Sequence, residues 1–212
     1  NTAFGYQAMH CNTDGHNNVA VGNALCKNTT GLYNVAVGSG ALSSNTTASA
    51  NVGIGRLALT TNTTASNNVA VGFESLKFNT EGGSNAAVGT NALTANTTGS
   101  SNNAFGSTAL DNNTTGSSNT AIGNDALDAN TTASDNVAVG NGAMFANTTG
   151  CQNTAIGRRA LNTNITGDNN VAVGFCALKL NTADNNTAVG HDALKTNTTA
   201  SNNTAVGFCS LA

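Results

Sequence analysis

A glycine recurs about every 17 residues along the whole chain, and this period constrains the fold more than any other feature. From Gly5 to Gly207 there are thirteen such glycines, each preceded by Val, Ile or Phe, and before that by Ala in every unit but one. Two steps are shortened to 16 residues, one near Gly22 and one around Ala183. Self-similarity at a fixed period predicts a stack of equivalent units. We therefore interpret residues 1–212 as a single continuous repeat array, and as a segment of a longer fibre because it begins and ends within a unit.

The unit is typical of β-structure. Its first segment, such as residues 68–72, alternates β-branched residues with Asn and Ala, and a second segment runs from Ala92 and Leu93 toward a Thr-rich stretch. Seventeen residues are too few for a helical hairpin, and 37 Asn and 24 Gly oppose helix formation. We predict an all-β parallel β-solenoid of about thirteen coils with two short strands per coil. At about 4.8 Å per coil it would be roughly 60 Å long.

Positions that recur at one phase predict ladders along the stack. An Asn stands four residues before each repeat glycine. Leu or Met stands four residues after it, from Met9 to Leu211, and three residues after it in the shortened unit at Gly22. Asn ladders can bond along the stack, while Ala and Leu fill a narrow interior. The predicted Asn ladder consists of Asn18, Asn34, Asn51, Asn68, Asn85, Asn102, Asn119, Asn136, Asn153, Asn170, Asn186 and Asn203.

Strand alternation gives these ladders a consequence for assembly. If Asn68 and Ala70 face the interior, Val69 and Val71 face outward and form a continuous apolar stripe, which predicts a homo-oligomer or another covering partner. The reverse orientation, with Val inside, would permit a monomer. The outward ladder comprises Val21, Val37, Ile54, Val71, Val88, Ile122, Val139, Ile156, Val173, Val189 and Val206.

The motifs Asn-x-Val-Ala-Val-Gly and Asn-Thr-Ala-Ile-Gly, the latter at residues 153–157 with Ala160 and Leu161 after it, resemble known repeats. They are similar to the head repeats of YadA-like trimeric autotransporter adhesins and to repeats of phage tail-fibre and bacterial surface-fibre proteins. The similarity covers the whole chain, although its unit is longer than the adhesin head unit. It implies a left-handed β-roll, a trimer with its Val and Ile ladders at the axis, and an extracellular fibre or adhesin at a cell or virion surface. It also implies a host-surface or glycan ligand.

Asn-x-Thr sequons form the sharpest chemical motif. They could carry N-glycans along one edge of a secreted fibre, or the Asn and Thr could serve turn and ladder hydrogen bonds. At Asn12, Asn79 and Asn181 the Asn is kept although the sequon is lost, which favours the second explanation. The sequons stand at Asn28, Asn45, Asn62, Asn96, Asn113, Asn130, Asn147, Asn164 and Asn197.

Consecutive Thr residues suggest one further surface function. Regular Thr rows on a solenoid can order water, which makes ice binding a third alternative. In a strand the two hydroxyls would point to opposite faces, so only one row would face solvent.

The remaining reactive residues do not form a recognisable catalytic or metal site. The three His residues are isolated, and Asp111, Asp125, Asp128 and Asp135 are the closest carboxylates. The five Cys show no zinc spacing and are expected to be free small hydrophobes, although Cys11 and Cys26 fall in adjacent coils where a disulfide is conceivable.

The chain is therefore predicted to be a structural protein without enzymatic activity, cofactor or metal. With only 7 Lys and Arg, it is not expected to bind nucleic acid, and no apolar run is long enough to span a membrane.

Overall fold

The computed structural model describes all residues 1–212. Its strands form one 13-stranded parallel sheet, in which each strand pairs with the strands of the neighbouring units. It contains no helix, and the chain winds through about 12 turns of a β-solenoid, as the repeat predicts. The strands are β1 (Thr2–Phe4), β2 (Val19–Val21), β3 (Val35–Val37), β4 (Val52–Ile54), β5 (Val69–Val71), β6 (Ala86–Val88), β7 (Asn103–Phe105), β8 (Thr120–Ile122), β9 (Val137–Val139), β10 (Thr154–Ile156), β11 (Val171–Val173), β12 (Thr187–Val189) and β13 (Thr204–Val206).

The two shortened units keep the strand register. Val19 pairs with Val35 across the first short step, and Val171 pairs with Thr187 across the second. The missing residue is absorbed in the turns. Gly22 takes a φ of 93°, while the other repeat glycines lie between 127° and 145°. Both deletions thus fall outside the strands, as the sequence indicates.

Every strand from β2 to β13 buries its central residue and turns its two flanking residues outward, whereas all three residues of the terminal strand β1 are exposed. Ala70 is fully buried, whereas Val69 and Val71 on either side of it are at least partly exposed. The interior is completed by a second Ala ladder and by the Leu and Met ladder, represented in one coil by Ala126 and Leu127. The predicted orientation, with Asn and Ala inside and Val outside, is confirmed, and the reverse orientation is wrong.

The predicted second strand is absent, and this expectation was wrong. The segment from Ala92 to Asn96 is a run of turns in which the Ala92 N–H donates to Gly89 O and the Asn96 N–H donates to Leu93 O. Leu93 has a φ of 56°, a left-handed backbone that an extended strand cannot contain. The turns are nevertheless paired along the stack, since the Leu93 N–H donates to Ala109 O in the next coil at 2.9 Å. Of 142 backbone hydrogen bonds, 24 join strand residues to each other and 118 involve at least one residue of a turn or loop, so turns take part in most of the bonding.

Candidate functional site

The outward face of the sheet is the most extensive distinctive surface of the molecule. Every strand presents two outward positions, and none of them in any of the thirteen strands is ionisable, although the chain has 7 basic and 10 acidic residues. Most are Val, Ile or Thr. The predicted outward ladder lies here, with Ile122 43% exposed and Ile156 42% exposed, and Phe105 continues the same row. A charge-free stripe of mainly aliphatic side chains, with Thr interspersed, therefore follows the solenoid from end to end.

The dimensions of this face follow from strand geometry. Thirteen strands at a spacing of about 4.8 Å give a length of roughly 60 Å, and three residues per strand give a width of about 10 Å. Depletion of charge is what distinguishes the buried centre of protein interfaces from other surface. The face has that composition over about 600 Å², which approaches the roughly 800 Å² that each partner buries in a standard interface.

The strand-proximal Asn ladder holds the sheet in register. The Asn119 backbone N–H donates to Asn102 Oδ1 at 3.0 Å, and Asn102 Nδ2 donates to Gly116 O at 2.8 Å. Every internal member from Asn18 to Asn186 is buried and repeats this backbone bond, and Asn203 in the last coil is partly exposed. Hydrogen bonds therefore run along this Asn ladder through the whole stack. A shift of one residue would break both bonds in each coil.

The sequon asparagines form a second ladder inside the coil. Asn113 Nδ2 donates to Asn96 Oδ1 at 2.9 Å and to Gly116 O at 3.0 Å. All of them except Asn197 have no exposed surface, and Asn79 and Asn181 occupy the same ladder without a sequon. Because the nitrogen that would carry a glycan is buried and doubly hydrogen-bonded, the geometry assigns these side chains a structural role in the folded coil.

The two Thr positions of the sequon behave differently. The first Thr, such as Thr97, donates its hydroxyl to the carbonyl of the equivalent residue in the next coil at 3.0 Å. The second, such as Thr98, is exposed. Only one row therefore presents free hydroxyls, which is a narrow surface for ordering water.

Sequence reasoning missed a Ser ladder. Ser100 Oγ accepts the Gly83 N–H and Ser117 Oγ accepts the Ser100 N–H, both at 3.1 Å. Cys151 and Asp168 continue the same ladder in later coils. The recurrence of Ser at this phase was the available signal.

Cys and His side chains meet at one place, where Cys11 Sγ lies 3.6 Å from His10 Nδ1. All five Cys are free, so no bridge joins Cys11 to Cys26, and of the five only Cys176 is buried. The expectation that the five Cys are free is therefore confirmed. The exposed His191 ring lies between the rings of Phe175 and Phe208, at centroid distances of 4.9 and 5.3 Å.

One carboxylate cluster is electrostatically perturbed. Burial raises the pKa of Asp128 to about 6, and the negative charges of Asp111 and Asp125 add to the effect. Asp111 has a raised pKa for the same primary reason, burial. No group of three His, Cys, Asp or Glu side chains is arranged to hold a metal ion.

No family model, curated protein or solved structure matches this chain. The chain also lacks any helix of the length and apolarity needed to cross a bilayer.

Proposed function

We propose that this protein is a structural repeat segment of an extracellular fibre or adhesin, in which copies of the chain associate through the outward face of the sheet. The observation that carries the proposal is the absence of any ionisable residue on that face along all thirteen strands. The charged residues of the chain all lie in the turns, and the two outward rows of the sheet carry none.

The proposed occupant of the face is a second copy of the same chain. A straight ladder with a fixed spacing matches another ladder with the same spacing, because side chains of both copies can interdigitate at each coil. A cyclic arrangement such as the trimer implied by the motif resemblance would bury the face of each copy around one axis. The bonded ladders inside each coil make such a unit a stiff spacer, suited to a fibre shaft.

Native mass measurement tests this proposal. The wild-type chain should run as a multiple of its 21.0 kDa protomer by light scattering, with three copies as the expected number. The double variant V71K/I122K places two charges on the face and should dissociate the assembly, because burying an unpaired ammonium costs several kcal/mol.

A matched control separates this effect from general destabilisation. T64K/T132K adds the same two charges on the exposed Thr row and should leave the assembly intact. A wild-type chain that is monomeric at all concentrations would contradict the proposal, as would an assembly that survives V71K/I122K unchanged.

A further inference from the structure

A groove of about 430 Å³ opens at Gly142, on the turns that follow the sheet and away from its outward face. The residue two positions after the repeat glycine has a left-handed backbone, and the neighbouring coils carry Asp125 and Arg159 there. Gly142, with a φ of 62°, has no side chain, so a gap separates these two. The other lining residues are Asn141, Phe145, Asn162 and Lys179.

The groove is cationic in a chain of net charge −3. Arg159 and Lys179 line it, and neither forms an ion pair; the ion pairs of the chain are at Glu74 with Lys77 and at Asp192 with Lys195 and His191. The carboxylate in the lining is engaged elsewhere. Asp125 Oδ1 accepts the Thr108 hydroxyl at 2.6 Å and its Oδ2 accepts the Asn124 side-chain amide. Two basic side chains are therefore left available to an anion.

The other walls suit a sugar ring. Phe145 is 42% exposed and offers an apolar surface beside the basic groups. Asn162 Nδ2 donates to Gly142 O at 2.7 Å and Asn141 Nδ2 donates to Asn124 O at 3.2 Å, while the Oδ1 atoms of both accept no hydrogen bond within the chain. A concave site with one aromatic wall and a few polar groups is the usual form of a small-ligand site.

We propose that this groove binds an acidic sugar, a pyranose bearing a carboxylate. Arg159 and Lys179 pair with the carboxylate, Arg159 through its forked donors. One face of the ring packs on Phe145, and the hydroxyls donate to Asn141 and Asn162. This site is independent of self-association, because its residues belong to the turns and not to the sheet face.

Calorimetric titration with trigalacturonate at low ionic strength tests the proposal. The wild-type chain should bind it, R159Q/K179Q should bind at least about tenfold more weakly because the charge-assisted bonds are lost, and G142N should weaken binding by filling the groove. The Asn substitution is sterically accommodated, since a Cβ at Gly142 would meet nothing closer than 3.6 Å. Circular dichroism of each variant should match the wild type.

Two controls make the outcome decisive. K27Q/R56Q removes two exposed cations far from the groove and should change the affinity by no more than about twofold, because only net charge differs. Neutral galactotriose and acetate alone should each bind much more weakly than trigalacturonate, since galactotriose lacks the carboxylate and acetate lacks the sugar ring. Equal weakening by K27Q/R56Q and R159Q/K179Q would overturn the proposal, and so would equal binding of galactotriose, equal binding of acetate, or no binding of trigalacturonate.

Discussion

At the scale of single residues, the repeat glycine is invariant because of both its backbone and its surroundings. Gly106 has a φ of 145°, which L-residues rarely adopt, and a Cβ there would lie 2.4 Å from the Gly123 carbonyl oxygen of the next coil. The same collision recurs in neighbouring coils. Glycine therefore recurs in every unit because the backbones of successive coils approach too closely at this position for a side chain.

The Asp128 carboxyl gives a residue-scale prediction about pH. Its pKa is raised from 3.8 to about 6, so the folded chain holds the proton more tightly than the unfolded chain, and stability falls as the pH rises through that window. Asp128→Asn removes the free-energy cost of ionising this partly buried carboxyl. It should raise the free energy of unfolding at pH 7.5 by about 1 kcal/mol, a value reduced for solvent screening of a partly exposed group. At pH 3.5 the gain should vanish. Urea denaturation at both pH values measures it.

Glu81→Gln provides the control for this prediction. It also removes one negative charge, but from an exposed residue that forms no ion pair. If both variants gained the same free energy of unfolding at pH 7.5, the effect would come from net charge and not from the carboxylate cluster.

At the scale of elements, the buried Asn ladders replace the second sheet that the coil lacks. Removing one rung, Asn113→Ala, leaves the buried Asn96 Oδ1 without a donor. It also removes one of the two hydrogen bonds that Gly116 O accepts and one of the two that Asn130 Nδ2 donates. The unpaired buried oxygen costs about 1–3 kcal/mol and each of the two other lost hydrogen bonds about 1 kcal/mol, so we expect a loss of about 3 kcal/mol in the free energy of unfolding.

The adjacent residue supplies the matched control for the Asn113 prediction. Asn112→Ala removes an exposed amide that donates only to Asp128 O, and should cost less than about 1 kcal/mol. Chemical denaturation of both variants compares them. Similar losses would show that the buried ladder does not hold the coils together.

The sequence predicted the elements with a regular periodicity and missed those that depend on backbone handedness. The alternation around Ala70 identified the strand and its buried side. The segment after Ala92 was mistaken for a strand because Thr favours strands, whereas Leu93 accepts an unfavourable left-handed backbone to place its side chain in the core. The groove at Gly142 could not be predicted, since it results from one missing side chain at such a left-handed position.

At the scale of the whole molecule, the solenoid is close to one-dimensional. Each strand contacts only the strands of adjacent coils, and the buried ladders run through all of them. In such a protein the stability is approximately a sum of terms for single coils and for neighbouring pairs. No long-range contact fixes the number of coils, so the length is set by the number of repeats in the gene product.

Removing one complete coil tests this description. Deletion of residues 107–123 joins Gly106 to Asn124, which has the phase of the lost Ser107, so Asn130 meets Asn96 and the ladders close again. The shortened chain should keep its circular dichroism per residue, unfold cooperatively, and be about 4.8 Å shorter by X-ray scattering. Deletion of residues 107–115 removes only about half a coil and leaves the phases mismatched, so every ladder is interrupted at the junction and the coils on its two sides should no longer unfold as one cooperative unit. If both deletions had the same effect, the coils would not be interchangeable units.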